Sequence, residues 1–155
     1  WMNEVLGREQ GAAEAVLSHQ EMLQDVVSCL RHFWDDEKLE HSKMARLRAV
    51  AGRLGRTDTH GGTSQASASA VPVAVRSVLR DALSLLAQGT GRFAFRFGME
   101  EAKLIRLAYI DRVGSHERVM ERLGLPRTTY YRRLRQALRN LTSILAALED
   151  EQERM

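Results

Sequence analysis

Two apolar periodicities meet at Leu123-Gly124-Leu125 with almost no chain between them. Upstream, Ser115 is placed to cap a short helix running from His116 to Leu123. Downstream, Pro126 opens a longer helix that is expected to reach about Leu148. Two helices joined by about three residues, with glycine at the turn, form the helix-turn-helix arrangement. Gly124 suits this turn because the chain needs a residue at positive φ there. Val119, Leu123 and Leu125 are spaced to fill the angle between the helices.

The second helix has two chemically different sides. At about 100° per residue, Tyr130, Leu134, Ala137, Leu138, Leu141, Ile144, Leu145 and Leu148 share one sector. Thr128, Arg132, Arg135 and Arg139 share the opposite one. The stretch from Arg127 to Arg139 holds Arg127, Arg132, Arg133, Arg135 and Arg139 and no acid. A merely solvated helix face usually mixes signs for i,i+4 pairing, and this one does not. Over the whole chain the net charge is only +3, yet residues 99–148 carry 10 basic and 5 acidic side chains. A basic stripe on one element is the footprint of a polyanion binder.

The expected partner is therefore double-stranded DNA, with the helix from Pro126 lying in the major groove. Arg127, Thr128, Arg132 and Arg135 are placed to read base edges, because the planar arginine fork can donate to guanine O6 and N7 together. Tyr131, Arg133 and Arg139 are placed to touch phosphates.

The residues Glu100-Glu101-Ala102-Lys103-Leu104-Ile105-Arg106-Leu107-Ala108-Tyr109-Ile110-Asp111, followed by Ser115 through Leu138, resemble region 4 of bacterial sigma-70-type factors. They are also similar to phage late-gene transcription regulators of the ArpU/RinA type, whose recognition helix often contains Thr-Tyr-Tyr-Arg and then Ala-Leu, as at Thr129-Tyr130-Tyr131-Arg132 and Ala137-Leu138. The resemblance covers the C-terminal third and implies transcription regulation in a phage or bacterium. Two positions depart from the pattern: Met120 replaces a small residue, and Pro126 stands where Ser or Thr usually caps. The promoter-melting aromatic signature of a complete sigma factor is not visible in residues 1–98. Two other readings stay open: an adaptor that docks on RNA polymerase or another protein, and a phage DNA-packaging or recombination accessory protein.

The rest of the chain reads as all-α. Residues 1–54 form an expected helical association segment, with Val16, Leu17, Leu23, Val26, Val27, Leu30, Phe33 and Trp34 repeating about every 3.5 residues. Asp35 or Asp36 is placed to cap a second helix reaching about Leu54, unless the first helix simply continues. Residues 55–71, rich in Gly, Ser, Thr and Ala, read as a flexible linker. Because the linker separates the two parts, the Val16–Trp34 stripe is expected to pack against a second copy, giving a homodimer through the N-terminal helices.

Residues 72–148 form the expected DNA-binding domain, with Pro72 in the first turn of a helix that ends near Gln88. Phe93, Phe95 and Phe97 are expected to lie in an irregular segment that pins three rings on the core, before a helix from Met99 to Asp111. Residues 149–155 form an acidic tail that follows a helix C-terminus, where negative charge is unfavourable.

Other chemistries lack an apparatus. Cys29, His32 and Asp36 fall at i, i+3 and i+7, but three such residues on an apolar stripe read as core and rim, so no metal is expected. His19, His41, His60 and His116 are scattered and form no catalytic triad. No phosphate-binding GxxxxGK[ST] loop is present, and no enzyme activity or cofactor is expected. No apolar run is long enough for a membrane span, and Glu4, Arg8 and Glu9 interrupt any secretory pattern, so the expected location is cytoplasmic. Trp1 precedes Met2, and Met2 is expected to be the native start.

Overall fold

A computed structural model describes residues 19–58 and 67–154. Every regular element among them is helical, as the apolar periodicities predict. The order is α1 (19–31), α2 (Asp36–Glu40), a 3-10 turn (Lys43–Arg46), α3 (Arg48–Asp58), α4 (Ser67–Gln88), α5 (Gly98–Ile105), a π turn (Arg106–Ile110), α6 (His116–Leu123) and α7 (Arg127–Arg154).

The long helix α4 organises the core. It packs against α2, α3, α5 and α7. Val75, Val78, Leu79, Ala82, Leu83 and Leu86 are buried along it, so little of its apolar mass meets water. Where α5 crosses the end of α4 the backbones nearly touch. A Cβ on Gly98 would lie 2.2 Å from the Leu86 carbonyl oxygen, so only glycine fits. The π turn after α5 ends with Asp111 N–H donating to Arg106 O at 2.8 Å, five residues back.

The N-terminal helices depart from expectation. Asp35 does cap α2, accepting from Lys38 N–H at 3.2 Å. The helix it starts is only five residues long, however, and a 3-10 turn intervenes before α3. Val16 and Leu17 lie outside the described residues, but Val26, Leu30 and Phe33 belong to the same buried cluster as α4, α5 and α7. Val26, Leu30 and Phe33 are thus covered by their own chain, while Leu23 and Val27 are half-buried and Trp34 is exposed. A long-range contact contributes: Arg76 of α4 donates its Nε–H to Phe33 O at 2.6 Å and pairs with Asp36, which holds the end of α1 against α4.

Both ends of the expected linker are helical. Residues 55–58 complete α3 and residues 67–71 begin α4, while 59–66 lie outside the described residues. Pro72 therefore sits inside α4, in its second turn, instead of opening it. The acidic tail is no separate segment either. Helix α7 continues to Arg154, and Glu149 reaches back to the start of α3. Its Oε1 accepts from Arg48 N–H at 2.9 Å and its Oε2 from Ala49 N–H at 3.2 Å, so it caps a helix about 100 residues earlier. Glu151 pairs with Arg92. The unfavourable placement at one helix end is offset at the start of another.

Candidate nucleic-acid interface

The helix pair forms as its local signals require. Ser115 Oγ accepts from Arg118 N–H at 3.4 Å, a long bond that starts α6. Gly124 ends the helix in the left-handed region, at φ 65° and ψ 33°. Gly124 N–H donates to Glu121 O at 3.2 Å and Leu125 N–H to Met120 O at 3.0 Å, the paired bonds of a Schellman turn. Leu125 thereby folds back toward Met120, and the bulky methionine is accommodated in the core beside Val119. After the turn, Tyr130 N–H donates to Pro126 O at 2.9 Å, so α7 begins without a side-chain cap at Pro126.

Burial then sorts α7 into the two sides read from its sequence. Tyr130, Leu134, Ala137, Leu138, Leu141, Ile144 and Leu145 are buried. Arg127, Thr128, Arg132, Arg133, Arg135 and Arg139 are exposed, and Tyr131 is half-buried. None of these arginines forms an ion pair with a described residue. Their charge is not cancelled within the described part of the chain and is available to an anion.

An aromatic cluster fixes the start of α7. Tyr130 is fully buried and its hydroxyl shares a 2.7 Å hydrogen bond with His116 Nδ1. The His116 ring meets Tyr109 at 5.9 Å and Tyr131 at 5.8 Å between centroids. Burial lowers the His116 pKa from its ordinary 6.5, and the nearby Arg31 charge lowers it further. The same burial pushes the Tyr130 hydroxyl up to about 12. Arg127 lies over Tyr131 at 5.7 Å, which holds this arginine to the cluster. Sequence reading missed this arrangement, because His116 and Tyr130 lie on different helices and no spacing rule joins them.

Beside the arginine face, α5 and α7 enclose a groove of about 1000 Å³. Arg132, Arg133, Arg135 and Arg139 line it, together with Leu104, Leu123 and Leu125. Phe97, expected on the core, instead stands 54% exposed at its edge, because the chain turns into α5 directly after it. Phe93 and Phe95 are half-buried against the core as expected. Deeper in the wall, Glu101 accepts from Asn140 Nδ2 at 2.6 Å, and Asn140 Oδ1 accepts from Gln136 at 3.1 Å. Burial raises the Glu101 pKa and the Asn140 hydrogen bond opposes the rise. This carboxylate braces α5 against α7 and is a poor candidate for repelling an anion, since it is already hydrogen-bonded and buried.

Cys29 lies in the core, and burial pushes its thiol pKa up. His32 is half-buried and Asp36 is engaged by Arg76. Among the described residues no group of three or more His, Cys, Asp or Glu is placed to hold a metal ion. None of the described helices is long and apolar enough to cross a membrane.

A protein family described as a protein of unknown function (DUF1492) matches residues 98–142. The match begins at the first residue of α5 and ends within α7, so it takes in the π turn, α6, the Schellman turn and the whole arginine face. No curated protein and no solved structure matches the chain.

Proposed function

We propose that this chain is a sequence-specific double-stranded DNA-binding transcription regulator that places the first half of α7 in the major groove. The observation that carries the reading is the arginine face: exposed, free of ion pairs to described residues, and opposite a largely apolar buried face on the helix that follows a tight glycine turn. Arg127, Thr128, Arg132 and Arg135 read base edges, while Tyr131, Arg133 and Arg139 hold phosphates. The resemblance of residues 100–145 to sigma region 4 and to ArpU/RinA-type regulators points the same way. A homodimer through the N-terminal helices, reading two half-sites, would increase affinity.

The test compares two variants on a selected site and on random duplex. Arg132→Ala costs about 1–3 kcal/mol on the selected site and much less on random DNA. Equal loss on both would remove its base-reading role. Arg139→Ala weakens both about equally and flattens the salt dependence. An unchanged salt slope would argue against a phosphate contact.

The groove between α5 and α7 favours a second reading. Its leucine floor and arginine rim suit an adaptor that docks on RNA polymerase or another acidic protein surface. In that case charge reversal at Arg132 and Arg135 abolishes protein binding in a chain whose DNA affinity is already negligible. A DNA-packaging or recombination accessory role would show instead as a ring-sized assembly in light scattering.

A further inference from the structure

Three guanidinium groups distant in sequence from the arginine face gather on one indole. Trp34 stands in the turn after α1 and is 44% exposed. Its Nε1–H donates to Ile110 O at 3.0 Å, which ties it to the chain that leads into α6. Arg112 lies 5.0 Å from the ring centre, Arg76 5.7 Å and Arg80 5.8 Å.

These three groups are not equivalent. Arg76 is held by Asp36 and the Phe33 carbonyl. Arg80 and Arg112 are exposed, and neither forms an ion pair with a described residue, although Asp111 adjoins Arg112 in the chain. Like charges gathered over one ring repel one another, and a bound anion relieves that repulsion. Arg112 also adopts φ 52°, the one described non-glycine residue at positive φ, so local backbone strain accompanies its placement. A guanidinium stacked on an aromatic ring is pre-oriented and keeps its N–H edge for a phosphate.

Arg112 stands four residues before His116, the first residue of α6, and the His116 ring meets Tyr131 beside Arg127. In a helix-turn-helix the first helix crosses the strand that borders the groove, so the chain entering α6 faces backbone and not base edges.

We propose that Arg80 and Arg112, stacked on Trp34, form a second DNA contact that binds backbone phosphates flanking the segment read by α7. This rests on the DNA-binding reading above. It extends the footprint to α4 and to the turn after α1 that carries Trp34, which that reading leaves without a role. The ligand is the phosphodiester backbone, so this contact is indifferent to sequence.

The test uses the whole chain and the selected duplex in two lengths, one carrying about ten extra base pairs on each side, close to one helical turn. The variant is Arg80→Gln with Arg112→Asn, since asparagine tolerates positive φ and Trp34 is left intact. On the long duplex the wild-type slope of log K against log salt exceeds that of the variant by about 1.8, because each phosphate contact contributes about 0.9. On the trimmed duplex the two slopes coincide. Equal slopes on the long duplex overturn the second contact and leave α7 as the reader. If the variant fails to fold, the wild type alone decides: trimming must lower its slope by about the same amount, and an unchanged slope overturns the proposal. A wild type that binds no duplex overturns the DNA-binding reading itself, and this contact with it.

Discussion

Replacing Phe33 by alanine tests whether the N-terminal helices belong to the same cooperative unit as the helix pair. Phe33 is 1% exposed and sits in the cluster shared with α4, α5 and α7. Its ring also lies 5.5 Å from Arg80 and 6.0 Å from Arg76. Truncating a buried phenylalanine costs about 3–5 kcal/mol, from lost transfer free energy and the cavity left behind. The cation–π contacts add about 0.5–1 kcal/mol each at partly exposed sites, although they share one ring and do not add fully. For a chain of this size each kcal/mol shifts Tm by about 2–4 °C, so a total of about 3.5–6 kcal/mol lowers it by about 7–24 °C. The assay is thermal unfolding followed at two probes: tryptophan fluorescence for the N-terminal helices, and far-ultraviolet circular dichroism for all of them. The account requires one transition that moves as a unit, at a midpoint independent of protein concentration. Two transitions, with α6 and α7 unaffected, would show that the N-terminal helices are a separate module. A strongly concentration-dependent midpoint would return Phe33 to an interface between chains.

Other perturbations probe individual contacts. Glu149→Ala removes the carboxylate that caps α3 and lowers stability by about 0.5–2 kcal/mol in chemical unfolding; no change would mean the two backbone N–H groups are equally well served by water. Gly98→Ala forces a Cβ against the Leu86 carbonyl and costs about 1–3 kcal/mol or more, since backbone must shift; a neutral result in the same assay would mean α4 and α5 separate easily. The lowered pKa of His116 has a defined sign. Its contribution to stability is fully present above 6.5, its ordinary value, and is lost as pH falls through the lower folded value. Tm accordingly falls on acidification and falls less in His116→Gln. Proton NMR locates the imidazole midpoint, and a midpoint at or above 6.5 would contradict the burial argument.

What the sequence disclosed was mostly local. Ser115 and Gly124 announced the ends of α6 because capping and left-handed turns depend on a few adjacent residues. The buried and basic sides of α7 were legible for the same reason, since a helix turns each side chain to a known azimuth. What stayed hidden depends on contacts between distant segments. Periodicity marks Val26, Leu30 and Phe33 as needing burial, but it cannot say that α4 supplies it, which depends on Arg76 reaching the Phe33 carbonyl. Composition made residues 55–71 look like one linker, although alanine and serine also suit a helix end, and α4 starts five residues before Pro72. On α7 only one wall of the groove could be read. The other wall, with Leu104 and the Glu101 brace, lies on α5, and the exposed Phe97 resembles a core residue in any one-dimensional pattern.

The central claim is that the arginine face of α7 reads DNA sequence. The most direct measurement is selection of bound duplexes from a random pool at about 0.15 M salt, where non-specific attraction is already weakened. The account predicts an enriched motif that is lost with Arg132→Ala, and a two-fold symmetric motif if two copies bind together. Recovery of no motif, with wild type and Arg132→Ala retaining the same duplexes, would contradict it and leave the groove between α5 and α7 as a protein-docking surface.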